Sequence, residues 1–478
     1  MAADRALIVA MLREEWRLHV RLFGGWRFAA FPVVVATLSA SAVAALAWAG
    51  VDLAVAIAGL HVLVFAFGLQ TGSMGLVAQD ALDRMLGELS LLVSTWQHLP
   101  LSRRQSVRAF LIGDLIYYTG LILLPLALAF VPAGLLYDRA LLVAAPRLAI
   151  SLPATFALGL ATTTALITIA RRGIPGPLLV VGLAGAVATG IWQGLPIAAA
   201  SPYGLYADPS PLAVAGTVLG IAVTATVGFS GLGRSEPRAA RTREPALDRW
   251  ADRVGDDRGL VARSLLELSR SSGGVGKIGF SVGVLLGVAV GVVALVGRIA
   301  GVDPQAGLTF GPLLGLSAFT SYNWLTTADD APAYRRFPLS IGDVIAAKRA
   351  ALSIVGLPAG LLALALALAW LGTTPVHAAL GALLFVGLHQ YVGGVTAYLA
   401  GLQPNEFLFD TVLFTAFGLA VLVPVAPLLI VGLVVPTPGA ALLAGVAVTA
   451  LALGAIGTVL GRRAGPRWEA KYRSGEVG

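Results

Sequence analysis

Residues 350–371 read Ala350-Ala-Leu-Ser-Ile-Val-Gly-Leu-Pro358-Ala-Gly-Leu-Leu-Ala-Leu-Ala-Leu-Ala-Leu-Ala-Trp370-Leu371, an unbroken run without a charge. A helix rises about 1.5 Å per residue, so roughly 20 apolar residues cross the ~30 Å hydrocarbon layer of a bilayer. One such run could be a buried core helix, but this chain repeats it along its whole length. In the first half, apolar runs lie near 28–49, 53–77, 109–135, 148–170, 176–200 and 211–233. In the second half they lie near 278–299, 306–326, 350–371, 376–400, 408–434 and 439–461. Pro424 and Pro427 leave a kinked or re-entrant segment open within 408–434. The chain is 57% hydrophobic and 12% charged, with a mean hydropathy of +0.85; soluble domains carry roughly 25% charged residues. The expected fold class is therefore all-α, a polytopic membrane helix bundle of about twelve transmembrane helices with interfacial amphipathic helices.

Arginine and lysine that flank spans are retained on the cytoplasmic side. With the N-terminus inside, the cytoplasmic pieces are 1–27, 80–108, 171–174, 234–277, 327–349, 401–407 and 462–478; of the 33 basic residues only Arg139, Arg147 and Arg298 fall elsewhere. Both termini are thus expected in the cytoplasm, with the protein in the cytoplasmic membrane of a prokaryote. The first 27 residues are charged and amphipathic, so no cleaved signal peptide is expected, despite Ala40-Ser41-Ala42. The net charge of +8 then reads as attraction to anionic lipid headgroups and not to nucleic acid.

The long hydrophilic stretch from Arg234 to Arg258 separates halves that resemble each other. Arg21-Leu-Phe-Gly24-Gly25-Trp-Arg-Phe-Ala-Ala-Phe31 aligns with Arg270-Ser-Ser-Gly273-Gly274-Val-Gly-Lys-Ile-Gly-Phe280. Leu99-Pro100-Leu101-Ser102 aligns with Phe337-Pro338-Leu339-Ser340, and Gly233-Arg234 through Arg238 with Gly461-Arg462 through Arg467. Three matches in the same order, each at the same place relative to the spans, indicate a parallel duplication of six spans. The expected domains are a first repeat at 1–233, a charged cytoplasmic linker at 234–262, a second repeat at 263–461 and a basic cytoplasmic tail at 462–478. The paired glycines read as bends where an interfacial helix turns into the membrane.

The loop between the second and third spans of each half is the informative one. In the first half Leu82, Met85, Leu86, Leu89, Leu92, Val93 and Trp96 recur at helical spacing, and Pro100 then breaks the helix. Ser102 is placed to cap the helix that follows. In the second half Asp329, Asp330, Arg335 and Arg336 precede Pro338, Ser340 and Asp343, too many charges to be embedded in the membrane. On composition alone such segments simply lie in the interface. The sequence of a long second span, an amphipathic cytoplasmic helix, Leu99-Pro-Leu-Ser-Arg-Arg104 or Phe337-Pro-Leu-Ser-Ile-Gly-Asp343, and then another span resembles the permease subunits of ABC exporters of the second type (ABC-2). Ser321-Tyr322-Asn323, Asp343-Val-Ile-Ala-Ala-Lys348 and the amphipathic stretch Leu12–Arg27 look like the same family's pattern. The resemblance implies that Asp80–Arg104 and Asp329–Asp343 are coupling elements seated in a separate ATPase subunit. Leu82–Trp96 would supply apolar grip, and Asp329, Asp330, Arg335 and Arg336 charged contacts. ATP and Mg would be bound by that partner, with no cofactor held by this chain. Fusion of both halves departs from the family and leaves open whether a second permease chain completes the transporter.

Enzyme signatures are wanting. There is no cysteine, which removes thiolate metal sites, and the five histidines are scattered. Ser271-Ser-Gly-Gly-Val-Gly276-Lys277-Ile278 lacks the first glycine and the closing Ser/Thr of a phosphate loop. Polar residues within spans are His61, Gln70, Asp114, Tyr117, Tyr118, Gln193, Asn323, His389 and Gln390. Of these His61, Gln70, Asn323, His389 and Gln390 form the candidate intramembrane polar site, weighed against plain interhelical hydrogen bonding. Asp114 reads as an ion-pair partner of Arg108. The alternatives to an ATP-driven exporter are an ion-gradient-driven secondary transporter and a membrane scaffold without transport.

Overall fold

The computed structural model describes residues 2–22, 25–48, 53–85, 103–136, 139–170, 196–230, 252, 259–271, 274–300, 303–327, 329, 331–334, 336–337, 339–403 and 410–474. Among the described residues all regular structure is helical. The chain divides into two compact units, Met1–Pro237 and Arg238–Gly478, and the division falls inside the expected linker.

In the first unit α1 (Ala2–Leu22) is followed by α2 (Trp26–Trp48) and α3 (Leu53–Met85). Gly25, at φ +57°, stands between α1 and α2, and its N–H donates to the Val20 carbonyl at 2.8 Å. A side chain there would cost roughly 1–2 kcal/mol, so glycine sets the bend. A continuous helical stretch then runs through α4 (Arg103–Tyr118), a π turn at Thr119–Leu123, α5 (Leu124–Leu128) and α6 (Phe130–Leu136). Pro125 has no N–H to give the preceding turn, and the widened π turn lies just ahead of it. Then come α7 (Ala140–Ala170), α8 (Pro202–Ala207) and α9 (Pro211–Ser230).

Helix α7 is central, with α3 packed on it and α9 packed on it as well. A Cβ added at Gly68 would strike the Phe156 carbonyl, and one at Gly159 the Phe65 carbonyl, so the two helices meet backbone to backbone. The Thr163 hydroxyl donates to the Leu69 carbonyl and the Thr168 hydroxyl to the Gly228 carbonyl, each at 2.8 Å. Ile57, Leu123, Leu148, Leu152 and Phe156 form the fully buried core.

The second unit contains α10 (Leu260–Arg270), α11 (Gly276–Ala300), α12 (Ala306–Gly315), α13 (Ser317–Thr326), α14 (Ala331–Tyr334), α15 (Ile341–Leu371), α16 (Pro375–Ala400), α17 (Thr411–Val434) and α18 (Ala440–Ser474). Gly274, at φ +55°, makes the bend between α10 and α11. Helix α16 is the central one here, packed by α12 and by α18. A Cβ at Gly381 would come within 2.6 Å of the Gly307 carbonyl oxygen, and one at Gly394 would overlap the Gly457 carbonyl. Phe310, Leu314, Leu364 and Phe385 fill the core.

Among the described residues eight helices are long and apolar enough to cross a membrane: Arg108–Leu136, Leu141–Ile169, Pro211–Ser230, Gly276–Val293, Ile341–Leu371, Pro375–Ala400, Thr411–Val434 and Ala440–Ser474. Shorter apolar stretches, Phe28–Ala44 and Ala56–Gly72, lie in α2 and α3. Large apolar side chains such as Val218, Leu219, Val223, Leu422, Val423 and Ile430 point outward, as suits a lipid surround and not water. The chain is a polytopic helical membrane protein.

Several expected boundaries shift. The run 306–326 is broken at Leu316, where two tight three-residue bonds, Leu316 N–H to Leu313 and Phe319 N–H to Leu316, each 3.2 Å, interrupt the helical ladder. Helix α17 passes Pro424 and Pro427 without a break. Helix α15 starts at Ile341 and α18 continues to Ser474, so Lys348, Arg349 and the expected basic tail through residue 474 are helical. Most of the expected span 176–200 lies outside the described residues.

Gly394→Leu should separate α16 from α18 and lower the stability of the detergent-purified chain by at least about 1–3 kcal/mol. Gly445→Leu, with open space around its Cβ position, should leave the thermal midpoint unchanged.

Candidate functional site: a buried ion network beneath the 327–340 loop

Helix α10 is amphipathic. Ala262, Leu265 and Leu268 are buried at a three-residue interval, while Arg263 and Glu267 stand one turn apart at its margin. Helix α15 approaches from the other side of the loop and carries Lys348 two turns in from its start. Its side chain is 2% exposed, which a lysine tolerates only when paired.

The Lys348 ammonium is held by three oxygens. Asp329 Oδ1 lies at 2.9 Å, Glu267 Oε2 at 3.1 Å and the Leu325 carbonyl at 2.7 Å. The Tyr334 hydroxyl donates to Asp329 Oδ1 at 2.6 Å. Arg263 Nε donates to Glu267 Oε1 at 2.8 Å, and the guanidinium lies 5.2 Å from the Tyr334 ring centroid. Two cations and two carboxylates thus balance, and they join α10, the end of α13, the loop and α15.

The electrostatics of the two carboxylates differ. Burial pushes the Asp329 carboxyl up, against the pull of Lys348 and the Tyr334 hydroxyl. Burial acts in the same direction on Glu267, but Lys348 and Arg263 outweigh it and hold that carboxyl below its ordinary 4.5. The Tyr334 phenol is pushed up by burial and by the neighbouring Asp329 charge.

The far end of the loop is fixed independently. The Ser340 side chain accepts from the Asp343 N–H at 3.0 Å, capping α15, and Asp343 sits in its first turn. The Ile341 N–H donates to Glu469 Oε2 of α18 at 2.9 Å. Between the two anchored ends Arg336 and Phe337 are exposed, Phe337 by 59%.

The charged surface expected at Asp329 needs correction. Its side chain is 0% exposed, so its carboxylate serves the interior and cannot also contact a partner. Asp330, Arg335 and Pro338 lie outside the described residues. So do Leu86, Leu89, Trp96 and Pro100; Leu82 and Met85 lie on the last turn of α3.

Two of the intramembrane candidates belong to the first unit and three to the second. In the first unit His61 is bracketed by the Ile57 carbonyl at 2.8 Å and Ser151 Oγ at 2.9 Å, with Tyr203 and Tyr206 packed against its ring. Both ring nitrogens are satisfied, which makes it a helix-to-helix tie. Gln70 is half-buried on the same helix. In the second unit Gln390 Nε2 donates to Ser353 Oγ at 3.1 Å. His389 is fully buried against Gly356 and 5.5 Å from the Phe385 ring. Asn323 is buried on α13. Among the described residues no group of three or more His, Cys, Asp or Glu is placed to hold a metal ion.

Sequence reading had not assigned Arg263, Glu267 or Lys348 a role. The available signal was a lysine adjoining an apolar run, with an acid on the preceding amphipathic helix.

Lys348→Ala should lower stability by about 3–5 kcal/mol, because two carboxylates lose their shared cation. Lys348→Met combined with Asp329→Leu should recover most of it, read as thermal midpoints in detergent. Because the folded Glu267 carboxyl titrates below its unfolded value, its contribution is present above pH 4.5 and lost as pH falls through the depressed value. Stability of the native chain should therefore drop more steeply on acidification below that pH than stability of Glu267→Gln.

Comparison of the chain with protein-family models, with curated proteins and with solved structures finds no match in any of the three.

Proposed function

We propose that the chain is the membrane-spanning permease subunit of an ATP-driven (ABC) exporter, made of two fused six-span repeats with both termini in the cytoplasm. The observation that carries this reading is the 327–340 loop. Its exposed tip, Arg336 and Phe337, is rooted through Asp329, Lys348 and Glu267 in α15, and through Ser340 and Glu469 in α15 and α18. An element that transmits force needs an accessible end and a stiff attachment to what it moves. Here both described ends of the loop are tied to a membrane-length helix, so a push on the tip is passed to that helix.

The duplication is supported by packing that repeats within each unit. In both, the fourth span of the proposed repeat (α7 or α16) is central and is flanked by the second (α3, or α12 with α13) and the sixth (α9 or α18). In both, an interfacial helix (α1 or α10) packs on the start of the third span, and a glycine at positive φ leads into the first.

On this reading ATP and Mg belong to a separate ATPase subunit. Closure of that partner around nucleotide moves the loop, and the spans switch between two states of access. Membrane lipids surround the spans, and no catalytic step falls to this chain.

One observation favours a second reading, an ion-gradient-driven transporter. The helix broken at Leu316 is followed by Ser317 and Ser321, whose fully buried hydroxyls have no hydrogen-bond partner, and broken helices build ion sites in such proteins.

Co-purification with an ATP-hydrolysing subunit tests the first reading. Arg336→Glu with Phe337→Ala should weaken that association about tenfold or more while leaving the thermal midpoint unchanged. Association at native strength by this variant would remove the tip from the coupling surface. Transport abolished by a protonophore or sodium ionophore at constant ATP would favour the second reading.

A further inference from the structure

Lys348 and Arg349 are neighbours on α15, yet among the described residues only the lysine has counter-ions. Arg349 is half-buried and turned toward α18, where its guanidinium lies on Gly461: a Cβ at that glycine would overlap Cζ, Nε and Nη1 of the arginine. The missing side chain is therefore a seat for the guanidinium. Among the described residues the titratable groups acting on Arg349 are Tyr322 and Arg462. Tyr322 is neutral, and its hydroxyl donates to the Gly401 carbonyl at 2.8 Å. Arg462, next to Gly461, is exposed.

Three described carboxylates of this region are engaged elsewhere. Asp329 serves Lys348 and Tyr334, Glu267 serves Lys348 and Arg263, and Glu469 serves the Ile341 N–H and Arg473. Among the described residues neither Arg349 nor Arg462 has a carboxylate partner. The Arg349 guanidinium rests on Gly461, next in sequence to Arg462, and like charges brought together at one helix end raise the energy of the folded state unless an anion joins them. Guanidinium groups present paired N–H donors that match the oxygens of a phosphate. Arg463 is exposed one residue further on, and Arg467 lies 4.3 Å from the Tyr398 ring centroid, so the positive field continues along α18.

We propose that Arg349 and Arg462 form a binding site for a phosphate oxyanion, supplied by the headgroup of an anionic phospholipid at that end of the second unit. One oxyanion bridges both guanidinium groups, with Gly461 keeping Arg349 in place and the exposed Arg462 closing from outside. Position at the end of a membrane-length helix favours a lipid source, since headgroup phosphates line that level. This inference is independent of the ATP-driven reading.

The test uses the full chain in phosphatidylcholine–detergent micelles. Phosphatidylglycerol is titrated in one arm and inorganic phosphate in the other, with the thermal midpoint as readout. Phosphatidylglycerol should raise the midpoint, with apparent affinity about tenfold weaker in Arg349→Gln and in Arg462→Gln. Arg349→Lys, which keeps the charge but loses the fork, should fall between. Arg473→Gln removes the same charge from the same helix and should bind as the native chain does. Arg462 is exposed, so its substitution tests the site without disturbing the core. An equal rise with inorganic phosphate supports the oxyanion site with a soluble source, and a rise with the lipid alone supports the headgroup. Native-like binding by both glutamine variants overturns the site. So does an equal loss in Arg473→Gln, or the absence of any rise in either arm.

Discussion

A lysine ammonium withdrawn from solvent is the constraint around which the second unit is arranged. Taking Lys348 out of water costs several kcal/mol unless its charge is matched, and Asp329, Glu267 and the Leu325 carbonyl match it. These partners come from separate segments: α10, the end of α13 and the loop beyond it. Moving any one of them away from α15 strips the buried ammonium of one of its three oxygens. A well-packed apolar cluster of equal volume would stabilise the fold as well or better. What the ions add is a fixed relation between the loop and the helix, because hydrogen-bonded charges tolerate less sliding than methyl groups do.

Away from that network, apolar burial cannot discriminate one helix pairing from another, since lipid is as apolar as the core. The pairing is decided by how closely backbones approach. Gly68 and Gly159 in one unit, and Gly394 and Gly457 in the other, remove the side chains that would hold the central helix away from its neighbours. Threonine hydroxyls then reach carbonyls across the narrow gap, as Thr163 and Thr168 do. Small residues and short polar side chains therefore act together at these crossings.

Membrane-length helices were legible in the sequence because hydropathy is a property of the segment itself, and so were the bends at Gly25 and Gly274, which depend on local conformation alone. Helix ends were less so. Lys348 and Arg349 look like loop residues by charge, whereas Ser340 and Asp343 mark the true start of α15 by capping chemistry. The inward turn of Asp329 depends on a lysine 19 positions away in the chain, a tertiary fact that no local pattern encodes. The interruption at Leu316 was hidden for a similar reason. No charge or proline marks Leu316 itself, and Gly315 beside it sits where a Cβ would strike Leu388 of α16, a contact made only in the folded unit.

Helix α18 has 35 residues, so it extends about 50 Å, some 20 Å more than the hydrocarbon layer is thick. Its surplus turns are not a loose appendage. Trp468 fills the space above Gly401, and Glu469 meets the first residue of α15. The last turns of this helix therefore behave as a splint across the helix ends at that margin.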